Sequence, residues 1–334
     1  MVTMHDVADL AGVSQSTVSH YLNATRPVHP DTRRAIQDAI DATGYMHDAL
    51  ASSLRTGRTR TVGIAITAVS NPYFGALVRR IATHIQETGR TMLLVDTQDQ
   101  VDRELEAVRK LLEHRPEAVL LAPAGPHSSA LELLAERRTP TVLIDRIPDA
   151  IPEGVDAVGV RNREPMQKLV THLGELGHRS IALLAGLPGI PTTSERVEGY
   201  RSGMDLLGPQ AEPRVAHASL VDDRTAAAMA DLFSADPRPT AVIGGNNQAT
   251  IAAMKWLRLH GLEVPGDVSV ASFDDFEWSD VFHPRLTAIR QPIEDIANTA
   301  AALLADRLAD VARPGRVVRL DPDLVIRDSA IAIT

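Results

Sequence analysis

The sequence predicts an α/β protein in which an N-terminal helix-turn-helix head precedes a core of two doubly wound parallel-sheet subdomains. Three observations carry that reading. The first 44 residues divide into short helical segments separated by glycine or polar turns. From Thr61 onward, short β-rich runs alternate with segments of helical period, and that alternation starts again near Ser180. A chain of 334 residues has room for two or three domains of about 100–200 residues each.

In the head, Thr3 is placed to cap a first helix over 4–11, with Val7, Leu10 and Ala11 on one face and Gly12 breaking it. Ser14 caps a second helix over 15–22, which starts after a very short turn, points Val18 and Leu22 inward at i, i+4 spacing and ends at Asn23. Two short helices around a glycine turn form the helix-turn-helix pattern. A third helix begins at Pro30, well suited to the first helical position, carries Ile36 and Ile40 at i, i+4 and stops at Gly44. Asp48 can cap a short fourth over 49–54, and the polar, basic tract 55–60 reads as a linker.

In the core, TVGIAI, TMLLV, AVLLA and TVLID are the strands of the first set. Phe74, Leu77, Val78, Ile81 and Ile85, then Leu105, Val108, Leu111 and Leu112, form the apolar stripes of helices between them. SIALLA, TAVIGG and VSVASF are the strands of the second set, with helices near 193–207, 224–234 and 248–260. Near-continuous apolar strands joined by helices mean parallel sheets covered on both faces. The late segment 292–312 and the strands around Val317 and 324–327 return to complete either sheet, and the residues alone leave open which.

With 44% hydrophobic and 23% charged residues the chain can build cores and lacks the signature of disorder. It has no run of roughly 18 apolar residues and no basic-then-apolar leader, so no membrane association is expected and the cytoplasm is the expected compartment. The absence of cysteine excludes disulfides, thiolate catalysis and Cys-ligated metal sites. The first 60 residues balance six arginines against six aspartates, whereas the remainder holds 28 basic and 37 acidic residues and carries the whole net charge of −9. A nucleic-acid contact therefore belongs to the head, and motif rather than net charge must support it.

Open parallel sheets bind ligands beyond the carboxyl ends of their strands. Polar and aromatic residues gather at those ends: Ser70, Asn71, Tyr73 and Phe74 after the first strand, Asp145 ending TVLID, Asn246 and Asn247 after TAVIGG, and Asp274 and Asp275 after VSVASF. Two such edges facing one another would present carboxylates and amides to a sugar or nucleobase, with Tyr73, Phe74 or Trp278 as apolar walls. Each Asn or Asp taken singly fits a turn or helix cap equally well; the coincidence over several strands favours a site. No H-E-x-x-H, G-x-S-x-G, G-x-x-x-x-G-K-[ST] or G-x-G-x-x-G occurs, so neither catalysis nor a metal or other cofactor is expected. Asp222-Asp223 and Asp274-Asp275 do not make acid/base pairs, because neighbours on a strand point apart.

The stretch VTMHDVADLAGVSQSTVSHYLN resembles the head of the LacI/GalR family, whose pattern is T-x-x-D-V-A-x-x-A-G-V-S-x-x-T-V-S-x-x-L-N. The likeness continues in family order through VGIAI, SNPYF, LIDR, LGHRSIALLAG, GYRSGM, PTAVIGGNN, VPGDVSVASFDD, HPRLTAIRQP and LVIRDS. The resemblance implies a periplasmic-binding-protein-like core. Its domains would be a head over 1–46, a hinge helix and linker over 47–60, and a core over 61–334. One subdomain would span about 61–160 plus 291–320, the other about 161–290 plus 321–334.

Residue by residue, the resemblance places Gln15, Ser16 and His20 at base-reading positions of the recognition helix, where amide, hydroxyl and imidazole groups can donate to and accept from base edges. Thr17, Ser19 and Asn23 match phosphate-contacting or framing positions, and Arg26 follows in the loop. Ala51 and Leu54 match the hinge helix that enters the minor groove, with Leu54 as the wedge. For the effector, the resemblance implicates Asn71, Tyr73, Phe74, Asp145, Thr192, Arg196, Asn246, Asp274 and Gln291, with Arg196 and Asp274 foremost. The chain departs from the family at His29, at His47-Asp48, at Arg161 and at Asn247. The implied protein is a dimeric repressor of a palindromic operator, controlled by a small effector of the sugar class. The alternatives are a corepressor-type regulator sensing a nucleobase, or a stand-alone ligand-binding protein.

Overall fold

The computed structural model describes residues 2–23, 26–46, 58–67, 69, 71–218, 224–281 and 283–333. Contacts divide the chain into two units, Met1–Thr59 and Arg60–Thr334. The first holds α1 (Met4–Leu10), α2 (Gln15–Asn23) and α3 (Pro30–Thr43). Thr3 and Asp6 close a capping box on α1, the Thr3 amide donating to Asp6 Oδ2 at 2.7 Å. Ser14 Oγ accepts from the Thr17 amide at 3.1 Å and starts α2. At the head of α3, His29 makes no side-chain cap, Pro30 takes the first helical position, and Gly44 ends the helix with φ of 64°. Val7, Ala8, Val18, Ile36 and Ala39 are buried together between the three helices. The fourth helix expected over 49–54 lies outside the described residues.

The second unit contains twelve described strands. The first lobe is built from β1 (Thr61–Ile66), α4 (Pro72–Glu87), β2 (Thr91–Asp96), α5 (Val101–Glu113), β3 (Ala118–Leu121), α6 (Ser129–Glu136), β4 (Thr141–Asp145) and β5 (Asp156–Val160). The second comprises α7 (Arg163–Glu175), β6 (Ile181–Ala185), α8 (Pro191–Leu206), β7 (Arg214–His217), α9 (Arg224–Ser234), β8 (Ala241–Gly244), α10 (Asn247–Leu259), β9 (Ser269–Phe273) and β10 (Thr287–Arg290). Then α11 (Ile293–Ala309) and β11 (Val317–Leu320) return to the first lobe, and β12 (Asp323–Val325) to the second. The chain thus crosses between lobes after β5, after β10 and after β11.

The sheets share one plan. Their orders are β11-β5-β4-β3-β1-β2 and β12-β10-β9-β8-β6-β7, all parallel except β12, which runs antiparallel to β10. Apolar strands such as TVLID and SVASF are buried along their whole length because helices cover both faces. Three short strands, β5, β7 and β10, and the helices α6 and α7 add to the elements expected from sequence. Glycines let α7 and α8 meet closely: a Cβ on Gly199 would run into the backbone carbonyl of Arg163.

Two buried polar clusters tie late segments to the lobes. Asp156 accepts from Arg307 Nε at 2.9 Å and from the Arg316 amide at 2.8 Å, pinning β5 to α11 and to the approach to β11. His178 Nε2 donates to the Ile331 carbonyl at 3.1 Å and its Nδ1 lies 2.9 Å from Thr240 Oγ1, which fastens the tail onto the second lobe. Burial pushes the His178 imidazole below its ordinary pKa. Among the described residues, no helix is long and apolar enough to cross a membrane.

Candidate effector cleft and nucleic-acid interface

On α2, Gln15 and Ser16 are exposed, Thr17, Ser19 and His20 are partly exposed, and Val18 is buried. Residues 15, 16, 19 and 20 therefore share the face opposite the core, as a helix of 3.6 residues per turn requires. The Thr17 hydroxyl lies 2.8 Å from Ser14 Oγ and frames the start of the helix. Arg26 is exposed beyond it. The side chain of Asn23, and Ala51 and Leu54 with His47 and Asp48, lie outside the described residues.

The core brings all nine sequence-derived effector residues into one narrow cleft between the lobes. The shared sheet plan explains the placement. β4 and β9 occupy the same position in their sheets; β4 ends in Asp145 at φ 66°, and Asp274 at φ 86° directly follows β9. This left-handed backbone, which Asp tolerates better than most residues, turns both carboxylates into the cleft. Asp275 points the other way and is held by Arg327 Nη1 and Nη2 at 2.9 and 2.8 Å.

In the first lobe, Asn71 caps α4 by accepting from the Tyr73 amide at 3.0 Å, so Tyr73 and Phe74 enter the cleft from the first turn of that helix. Their rings meet edge to face at 5.2 Å. Burial, followed by the Asp145 charge, pushes the Tyr73 phenol well above its ordinary pKa. Burial also raises the Asp145 carboxyl, against the opposing pull of Arg146 and Arg196. Asp145 therefore takes up a proton more readily than an exposed carboxylate does.

In the second lobe, Arg196 projects from α8 and stacks 3.7 Å over the Phe273 ring. Its Nη1 donates to the Gly245 carbonyl at 2.8 Å, and its Nη2 lies 4.0 Å from Asp274 Oδ1. Arg196 and Asp274 belong to one lobe, so their approach does not bridge the cleft. One contact that does join the lobes is Asn247 Nδ2 donating to Asn71 Oδ1 at 2.8 Å. Asp274 Oδ1 also accepts from Gln291 Nε2 at 2.5 Å. Thr192 stands in the first turn of α8, and Asn246 caps α10 by accepting from the Ala249 amide at 2.9 Å. Gly186 leaves room for them: a Cβ there would sit 2.7 Å from Asn246 Nδ2 and 2.9 Å from Thr193 Oγ1.

Sequence reasoning missed Asp99, Arg146, Thr193 and Gln248 in the polar lining. Arg146 Nη1 donates to Asp99 Oδ1 at 2.6 Å and to the Pro123 carbonyl at 3.1 Å. The strand-end rule could have found them, since Asp99 and Arg146 follow β2 and β4. Arg161 instead pairs with Asp321 at 2.9 Å beside the crossovers and does not line the cleft. Asp222 and Asp223, and the side chain of Trp278, lie outside the described residues. Arg146 Nε and Gln291 Oε1 are buried and make no hydrogen bond within the protein, while the Tyr73 hydroxyl lies beside the Asp145 carboxylate. Buried polar groups are nearly always paired, so these two atoms are open to a partner from a bound ligand. Among the described residues no three His, Cys, Asp or Glu converge to hold a metal.

A helix-turn-helix head and a two-lobed core with a polar ligand cleft define a ligand-responsive DNA-binding regulator. Comparison with known proteins agrees. Residues 3–48 match the model described as bacterial regulatory proteins, lacI family, and residues 170–330 match a periplasmic binding protein-like domain. The HTH-type transcriptional repressor PurR of Aliivibrio fischeri (strain ATCC 700601 / ES114) is 32% identical over 98% of both chains. The chain belongs to the LacI family of bacterial transcription regulators. Among solved structures, the lac repressor dimer bound to operator and the anti-inducer ONPF superposes with a TM-score of 0.83 at 25% identity over 99% of each chain. The transcriptional regulator CelR–cellobiose complex matches with a TM-score of 0.73 at 28% identity, over 98% of this chain and 100% of that one.

Proposed function

We propose that this chain is a repressor that binds a palindromic operator as a homodimer, with an effector of the nucleobase class in the interlobe cleft setting its operator affinity. Residues 1–46 read the DNA, 47–60 with Ala51 and Leu54 form the hinge, and 61–334 hold the effector. Two-fold symmetry of the protein matches two half-sites. The observation that carries the reading is the convergence of buried polar and charged groups of both lobes, Asp145 and Arg146 from one and Arg196 and Asp274 from the other, on one cleft.

The sequence favours a sugar over a nucleobase, and the relatives favour the nucleobase. Curated relatives matched over nearly the whole chain carry the PurR name. Physically, Tyr73 and Phe74 supply apolar surface beside the two strand-end carboxylates and the Arg196 edge, a set suited to a flat ring bearing N–H and C=O groups. The sugar remains the competing outcome, favoured by the likeness to a cellobiose-binding regulator.

The test begins by selecting an operator from random duplex DNA with the full chain. Its affinity is then measured with adenine, guanine, hypoxanthine, uracil, cytosine, ribose or cellobiose added. A nucleobase that tightens operator binding supports the proposal. A response to a sugar alone returns the reading to the sugar class, and no response to any of the seven refutes it.

A further inference from the structure

Asn162 and Glu195 lie outside the cleft lining, yet they connect it to the crossovers. Asn162, 2% exposed, sits at the first crossover. Its Nδ2 donates to Glu195 Oε2 at 2.7 Å and to the Val160 carbonyl at 3.2 Å, while its Oδ1 accepts from Arg196 Nε at 2.9 Å. The other Glu195 oxygen accepts from Arg319 Nη1 at 3.0 Å. Arg319 belongs to β11 in the first lobe, just before the third crossover. On the cleft side, Asp274 stands 4.0 Å from Arg196 Nη2 and accepts from Gln291, at the second crossover. One line of polar contacts therefore touches all three crossovers and passes through the guanidinium that faces the cleft.

Three restraints fix that guanidinium. Asn162 holds Nε, the Gly245 carbonyl holds Nη1, and the Phe273 ring lies beneath it, leaving the Nη2 edge for a ligand. A ligand that draws Arg196 toward Asp274 must pull on Asn162, and through Glu195 on the first lobe. We propose that Asn162, Glu195 and Arg319 are positioning residues that register Arg196 against the crossovers, so that occupation of the cleft is transmitted as a change in lobe closure. The proposal rests on the reading that the cleft takes an effector. The Glu195–Arg319 pair is partly solvated, with side-chain exposures of 27% and 32%. Such pairs add little to stability, so removing one frees the lobes without unfolding them.

The chain has no cysteine, so Glu113→Cys and Asp231→Cys place the only two spin labels, one on each lobe. Pulsed electron-electron resonance on labelled chain diluted into unlabelled chain then reads the interlobe distance. In the ligand-free protein, Glu195→Gln and Arg319→Met should broaden that distance distribution, and Arg319→Lys, which keeps the charge, should retain it. With the seven compounds above as probes, the first two variants should lose about 2- to 30-fold of the effector-dependent shift in operator affinity while effector affinity changes little. Wild-type distances in Glu195→Gln and Arg319→Met overturn the proposal, as does Arg319→Lys behaving like Arg319→Met. If no probe alters operator affinity in the wild type, the effector reading fails, and the ligand-free distances still decide whether the clasp holds the lobes.

Discussion

Asp274→Asn separates effector response from folding. The carboxylate is 4% exposed and stands between Gln291 and Arg196. Asparagine keeps the oxygen that accepts from Gln291 and tolerates the φ of 86°, so the lobe should fold. What is lost is the charge. A hydrogen bond to a charged group contributes about 1.5–3 kcal/mol, against about 0.5–1.5 kcal/mol for a neutral one. The difference of about 1–2 kcal/mol corresponds to roughly 5- to 30-fold weaker effector binding. Fluorescence anisotropy on the selected operator, titrated with effector for wild type and variant, reads the shift, and thermal melting checks the fold. A variant with unchanged melting and a wild-type effector response would remove Asp274 from the site.

The remaining predictions address the core packing, the tail and the head. Gly199→Ala forces a methyl against the Arg163 carbonyl between α7 and α8, and should cost about 1–3 kcal/mol of stability; an unchanged denaturant midpoint would contradict the close approach. His178 has a folded pKa depressed by burial, so the unfolded chain takes the proton first. Its contribution is complete above an unfolded value of about 6.5 and declines as pH falls from there toward the folded pKa. Replacing His178 with Gln should flatten the stability–pH curve below about pH 6.5. His20→Ala should alter preference at one symmetric base-pair position, with about 1–3 kcal/mol of discrimination at stake; uniform weakening on all sequences would make His20 a backbone contact.

Much of the architecture was legible because the central strands are apolar throughout and most of the helices between them keep a regular stripe. The elements missed are those where that signal thins. RVAH, the four residues of β7, begins and ends on polar groups, TAIR is as short, and DAVGV opens on the buried Asp156. Met166, Leu169, Val170 and Leu173 of α7 do repeat at helical spacing, and recognising DAVGV as a strand would have made the helix that follows it legible. In the cleft, strand ends led to Asp145, Asn246 and Asp274 because a parallel sheet must put its carboxyl ends on one side. Two asparagines, Asn71 and Asn246, also turned out to be helix caps, so the functional and local readings describe the same side chains. The sequence could not reveal that Asn71 and Asn247 meet across the cleft, since that depends on how the crossovers set the lobes against each other.

The central claim is that one small molecule couples the cleft to the head, and reciprocity tests it most directly. Effector affinity of the full chain should be measured by calorimetry with and without saturating operator, and operator affinity with and without saturating effector. The account predicts the same factor in both directions, about 5- to 150-fold. Tight effector binding that leaves operator affinity unchanged would contradict it, because a ligand with equal affinity for both states shifts nothing.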